Sequence, residues 1–484
     1  MMRAVTIVAP LLVWLLGLAA LPAAAQEPDT RAALQALRFP AQRFTPPRPK
    51  QVRLSNGIPV YLLEDHTLPL LRVQLVSKVG AANVPDSLWA VAQEAGDLLR
   101  TGGTTRLSPD SIDKVAAFYA IGFGFQVRSE KSRAMAAGLS RHRDRMLDLL
   151  FDAMLHPRND TARVRIAATR AEEAWRRRND EPNAVLERAL GQVMYGDHPL
   201  GRTLATPAEL ASFTPARFRW VQERVFCPQQ VIFGVSGDFD ERALLQELEE
   251  HVRGWPACKP GLRATPPVSY AEGPRVVLVE KDVNQSNLVL AHRGGVREAN
   301  TPDYFAAQVA NFILGGGAGF SARLLQRVRS DSGFAYSVGS EWDAEPKREG
   351  LFSAGAQVRA EKTVAALGLM RRTIGSLATE PATESDVKLA QDKLANSFVF
   401  QFEDPTEIVQ QQLAYAADGL PANWFDVYLR GVQAVTPQQV RQAAQRYLHP
   451  DRLVTLVVGQ TASFGGSLEQ FGPVTTLPVD AIQH

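Results

Sequence analysis

Residues 214–237 read TPARFRWVQERVFCPQQVIFGVSG, and residues 436–459 read TPQQVRQAAQRYLHPDRLVTLVVG. The two stretches align without a gap at an offset of 222, which pairs Arg224 with Arg446, Pro228 with Pro450 and Gly237 with Gly459. Each opens on Thr-Pro, a helix start, passes through a Pro-containing turn and ends in an apolar run closed by Gly, the pattern of a buried strand. A unit repeated in this way indicates duplication. The expectation is an α+β fold of two homologous domains of about 200 residues, each a largely antiparallel sheet with helices packed on it.

Working outward, residues 255–275 (WPACKPGLRATPPVSYAEGPR) concentrate Pro and Gly and read as the linker. The first domain is therefore expected over 51–254, the second over 276–472, and a C-terminal tail over 473–484. In the first domain, Val52 and Leu54, then Asn56-Gly57, then Ile58, Val60 and Leu62 read as a hairpin. Leu88, Val91, Ala92, Ala95, Leu98 and Leu99 recur at helical spacing behind Asp86-Ser87. A second helix follows Ser108-Pro109, residues 123–128 look extended, and helical stretches are expected over 143–155 and 160–193.

The chain has 484 residues, 45% hydrophobic and 21% charged, with a net charge of +2. These values exclude collagen-like and wholly disordered chains, and the absence of a basic block leaves no electrostatic footprint for nucleic acid. Arg3, an apolar run over 4–21 and then Pro22-Ala23-Ala24-Ala25 read as a secretory signal over 1–25, cleaved after Ala25, with a lead segment over 26–50. An uncleaved anchor helix is the alternative. Export to the periplasm is expected, with no membrane span in the mature chain. Cys227 and Cys258 are the two cysteines. In an oxidising compartment they are candidates for one disulfide, the alternative being two unrelated buried thiols.

Several strings, in order along the mature chain, resemble the insulinase-like or pitrilysin-like zinc metallopeptidases, the family of the mitochondrial processing peptidase. They are Leu54-Ser55-Asn56-Gly57-Ile58-Pro59-Val60, Gly102-Gly103-Thr104, Gly196-Asp197-His198-Pro199-Leu200-Gly201 and Val235-Ser236-Gly237-Asp238. Further on come Ile313-Leu314-Gly315-Gly316, Ser321-Ala322-Arg323-Leu324, Gly333-Phe334-Ala335-Tyr336-Ser337-Val338, Gly419-Leu420-Pro421 and Ala434-Val435-Thr436-Pro437. The resemblance implies that the two domains form half of a clamshell. It also implies a zinc motif, H-x-x-E-H, on the first helix. That segment here reads Glu94-Ala95-Gly96-Asp97-Leu98, no histidine occurs between 67 and 141, and no two histidines lie within one helical turn of each other. Glu172 and Glu173, near the place of the family's third ligand, cannot make a zinc site without imidazoles. They read as surface residues, as do Glu94, Asp97 and the run Arg176-Arg177-Arg178. No metal and no cofactor are expected in this chain.

The same resemblance assigns a role to Arg329 and Tyr336, seven positions apart: Arg329 would hold a substrate carbonyl, and Tyr336 would donate its hydroxyl to the developing oxyanion. The expected function is a zinc-free subunit of a heteromeric metallopeptidase, with zinc in a homologous partner and a peptide as substrate. The alternative is a non-enzymatic scaffold or peptide-binding protein of the same fold. The loop at 315–319 lacks the Lys-Ser/Thr of a phosphate-binding loop and reads as a turn beside the substrate chamber. His198 reads as structural.

Overall fold

The computed structural model describes residues 46–317, 321–399, 402 and 404–483. The signal expected over 1–25, with its cleavage after Ala25, lies outside the described residues, as does most of the lead over 26–50. The first half builds a six-stranded sheet from β1 (Lys50–Arg53), β2 (Pro59–Glu64), β3 (Leu70–Ser77), β4 (Gly122–Val127), β5 (Ser132–Leu139) and β6 (Val231–Gly237), in the order β1-β2-β6-β3-β5-β4. The second half builds another from β7 (Arg275–Glu280), β8 (Gln285–Arg293), β9 (Ala335–Ala344), β10 (Glu349–Arg359), β11 (Val454–Gly459) and β12 (Val474–Thr476), in the order β12-β7-β11-β8-β10-β9. Setting aside the edge strands β1 and β12, the two orders are the same. The strand that ends each repeated sequence is placed alike: β6 lies parallel to β2 and antiparallel to β3, and β11 parallel to β7 and antiparallel to β8. The duplication read in the sequence is thus a duplication of topology.

The longer helices of the first half are α1 (Trp89–Thr101), α2 (Pro109–Phe118), α3 (Arg143–Leu155), α4 (Thr161–Arg176), α5 (Pro182–Tyr195), α6 (Pro215–Val225) and α7 (Glu241–Val252). Those of the second are α8 (Pro302–Asn311), α9 (Thr363–Thr379), α10 (Glu384–Val399), α11 (Pro405–Asp418), α12 (Trp424–Gln433) and α13 (Pro437–Tyr447). The repeat's Thr-Pro starts cap α6 and α13: the Thr214 hydroxyl accepts from the Arg217 N–H and the Thr436 hydroxyl from the Gln439 N–H. At Asn56-Gly57 the β1–β2 hairpin closes with Gly57 at φ +87°, a conformation that glycine adopts without steric cost.

Two exchanged helices tie the halves together. Val185, Ala189 and Met194 of α5, a first-half helix, pack on Val277, Val289 and Leu456 of the second sheet. Val409, Leu413 and Ala417 of α11, a second-half helix, pack on Tyr61, Val76 and Ile232 of the first sheet. Each sheet is thereby covered on one face by its own helices and on the other by a helix from the other half.

Two sequence expectations need correction. The stretch over 160–193 is two helices, because Pro182 has no N–H to donate and restricts the residue before it; Glu181 is extended and Pro182 starts α5. Of the segment over 473–484, read as a tail, the described residues, 473–483, pack on the second half: β12 pairs parallel with β7, and Ile482 is buried against α5. The segment over 255–274 runs without helix or strand, but Arg263 pairs with Asp86 and the Tyr270 hydroxyl donates to the Glu349 carbonyl.

Candidate functional site

Val328 and Ala335 are buried in the second core, and Arg329 and Tyr336 directly follow them. The helical segment Leu325–Asp331 winds with wide, π-type turns and ends at Gly333, whose φ of +62° reverses the chain into β9. The Gly333 N–H donates to the Arg329 carbonyl and the Phe334 N–H to that of Val328, at 3.0 Å each. Arg329 and Tyr336 therefore flank one anchored turn.

Tyr336 occupies a break in the strand register. Ser337 pairs with Gln357 and Ala335 with Val358, which leaves Tyr336 opposite no residue of β10. Such a bulge re-aims a side chain, and β9 is an edge strand, so the ring is 76% exposed. Arg329 is also exposed. Among the described residues neither side chain has a hydrogen bond or ion pair, so both have donors free for a ligand. A cleft of about 510 Å³ lies between α5 and strands β8, β9 and β10, bordered by Asn183, Glu187, Gly315, Glu341, Gln357 and Ser337, the residue after Tyr336. Its counterpart over the first sheet, about 570 Å³, is bordered by Leu68, Leu70, Arg72, Gly138 and the start of α11 at Pro405.

The position implied for zinc is filled differently. Leu98 is 1% exposed and packs in the core, so it is not presented alongside Glu94. Asp97 is ion-paired with Arg170 of α4 at 3.0 Å, and Glu172 with Arg176 at 2.6 Å. Glu94, read as a solvated surface charge, is instead half-buried; burial first, then the neighbouring Asp97, raises its carboxyl above the ordinary range, while Arg170 opposes the shift. A guanidinium thus stands with this acid pair, and the residues present do not fit a zinc ion. Among the described residues no three His, Cys, Asp or Glu side chains are placed to hold a metal.

The remaining expectations resolve individually. Arg176 and Arg177 are exposed, but Arg178 is not a free surface charge: it stacks over Trp175 at 4.2 Å and pairs with Asp480 at 3.3 Å. His198 is structural, accepting from the Leu200 N–H at Nδ1 and donating from Nε2 to the Pro266 carbonyl at 2.9 Å. Cys227 and Cys258 are joined by a disulfide, with Cα atoms 5.2 Å apart. Sequence reasoning missed the bulge at Tyr336, which no residue pattern announces.

The family description "Peptidase M16 inactive domain" matches residues 212–394. An uncharacterized zinc protease of Mycobacterium tuberculosis is 27% identical over 327 residues, 66% of this chain and 72% of that protein. One of Bacillus subtilis is 22% identical over 362 residues, 73% of this chain and 84% of that protein. Among solved structures, a peptidase M16 inactive domain from Pseudomonas fluorescens superposes with a TM-score of 0.75 at 22% identity, covering 85% of this chain and 98% of that one. The periplasmic protease PqqL from Escherichia coli gives 0.74 at 16% identity, covering 90% of this chain but 51% of that one. With the duplicated topology and the replaced metal position, these matches show that residues 212–394 resemble the M16 inactive peptidase domain and that the chain is similar to M16-type zinc proteases and shares their fold, without the catalytic zinc motif.

Proposed function

We propose that this chain is the zinc-free subunit of a heteromeric insulinase-like peptidase, exported to the periplasm, that offers Arg329 and Tyr336 to a peptide held between it and a homologous zinc-bearing partner. The observation that carries the reading is the bulge that leaves an unpartnered Tyr336 exposed next to Ser337, which borders a 510 Å³ cleft. A phenol exposed on an anchored edge strand can donate to the oxygen that gains charge during peptide-bond hydrolysis. Arg329, a planar fork of donors on the same turn, can hold a neighbouring carbonyl. The comparison with PqqL adds support, since about half of that periplasmic protease accounts for this fold. The second reading, a peptide-binding scaffold, is favoured by the Arg170 ion pair at the implied zinc position.

The test is reconstitution with a homologous chain bearing H-x-x-E-H. Alone, this chain is expected to hold no stoichiometric zinc and to cleave no peptide. In the complex, Tyr336→Phe is expected to lower kcat about 10²-fold, near 3 kcal/mol, with a smaller change in KM. Arg329→Ala raises KM and lowers kcat together, and Arg329→Lys rescues poorly because a point charge does not reproduce the fork. Unchanged kinetics for both variants in an assembled, active complex would exclude the catalytic role and leave the scaffold.

A further inference from the structure

On the first half, outside the clefts described above, two helix C-termini converge on a cavity of about 410 Å³. Asp148, Phe151, Asp152 and Leu155, near the end of α3, line it, and so do Glu250 and His251 at the end of α7 and Trp255 beyond it. Gly254, at φ +76°, makes the turn that places Trp255 there. Its ring lies edge-on to Phe151 at 6.3 Å, and the His251 ring stacks on Phe151 at 4.8 Å. Burial lowers the pKa of His251, and Asp148, 3.8 Å from its Nε2, opposes the shift.

The cavity's polar feature is Asp152. It is 8% exposed, and neither carboxylate oxygen has a hydrogen-bond partner. A carboxylate removed from water without a donor is costly, so a buried one facing a cavity calls for a cationic donor. The nearest cation, Arg106, approaches with Nε at 3.5 Å from Oδ1, outside hydrogen-bond reach, and its side chain is 71% exposed. Asp148 and Glu250 add negative charge, exposed Arg253 offsets one of them, and the carbonyl ends of both helices favour a cation there. The space is too large for a bare ion, and no metal-binding ligand set exists among the described residues. A flat aromatic ring on the wall suits an organic cation.

We propose that this cavity binds a guanidinium or primary ammonium group, which donates directly to Asp152 beside Trp255 and displaces Arg106 as the resident plug. The inference is independent of the peptidase reading, since none of these residues belongs to the Arg329–Tyr336 site.

Isothermal titration of the full mature chain tests it, with agmatine as a free guanidinium and acetyl-Gly-Gly-Arg-amide as one carried on a peptide, at matched ionic strength. One saturable site is expected, with the tighter of the two probes telling which source the mouth admits. Asp152→Asn, nearly isosteric, should weaken binding at least about tenfold by removing the charged acceptor. Arg106→Ala should tighten it about threefold or more, because an exposed competitor is removed and no buried contact is lost. A cavity that is only a packing defect gives no saturable binding with the native chain or with Arg106→Ala, and that result would overturn the proposal. So would affinity unchanged by Asp152→Asn in a chain whose unfolding midpoint is native.

Discussion

In the first half α11 lies directly on Gly234 of β6, where an added side chain would collide with Val409 and Leu413. In the second half the equivalent strand position, 222 residues on, is Leu456, which packs in the cluster under α5. The second junction also takes in Ile482 from the end of the chain, a contribution with no first-half counterpart. One strand order thus supports two differently packed covers, close backbone approach in one and interdigitated aliphatic side chains in the other. The chemistry has diverged on the same frame. The helix implied to carry zinc in the first half offers Asp97, already paired with Arg170, whereas the edge strand of the second half offers an unpartnered Tyr336. Topology is held by the strand registers and the exchanged helices, so side chains facing the clefts can change without disturbing it.

The most damaging test of this comparison is a charge in each exchanged helix. Val185 and Val409 are both 0% exposed, so Val185→Asp and Val409→Asp should each cost about 4 kcal/mol or more, or prevent folding. Because each helix bridges the halves, both variants should show one cooperative urea transition at a lowered midpoint. Two separate transitions, one of them native, would mean that the halves fold independently and that the exchange is decorative.

A smaller effect is expected where only one half carries a covalent tie. Cys227 is bonded to Cys258, but 222 residues on stands His449, whose backbone N–H donates to Nε2 of buried His292 at 3.3 Å. Burial holds that imidazole down at about 4, so it stays neutral and can accept. Replacing both cysteines with Ser should lower stability by roughly 2–4 kcal/mol, the entropy of a loop of about 30 residues, read as a fall in unfolding midpoint. A reductant-insensitive midpoint in the native chain would show that second-half packing, not the bridge, limits stability.

What was legible in the sequence, and what was not, follows the range of the interactions. The Asn56-Gly57 hairpin, the Thr-Pro caps and the repeat itself depend on near neighbours, and each is where its residues place it. Which sheet α5 covers is a long-range choice; its apolar face announces burial but does not say under which half. The break before Pro182 was visible in principle, since proline cannot continue a helix that needs its N–H. At the candidate site, Arg329 and Tyr336 were named from strings, but the feature that exposes Tyr336 is a register slip between β9 and β10, set by pairing across the sheet. The half-burial of Glu94 was likewise hidden, because it depends on how α1 and α4 pack, not on the spacing of acids along α1.

The gentlest test concerns the seam between the halves. The turn between β4 and β5 reaches the second half through two ion pairs, Glu130 with Arg348 at 3.0 Å and Lys131 with Asp418 at 2.5 Å. Near them lies Glu298, which accepts from the Trp424 indole N–H at 2.8 Å. Burial pushes its carboxyl up to about 7; the Trp424 bond opposes this, Asp418 and Glu345 add to it, and Lys131 offsets part. The folded state therefore favours the protonated acid. That contribution is full below the unfolded value of 4.5 and is lost as pH rises through about 7. Stability should fall by roughly 3 kcal/mol across this window, and Glu298→Gln, which stays neutral, should flatten the slope without lowering stability at pH 7. The measurement is the urea midpoint of both chains from pH 4.5 to pH 8. A parallel decline in native and variant would assign the slope to another group, with Asp343, raised to about 6 first by burial and then by Glu341 and Glu345, the next to replace.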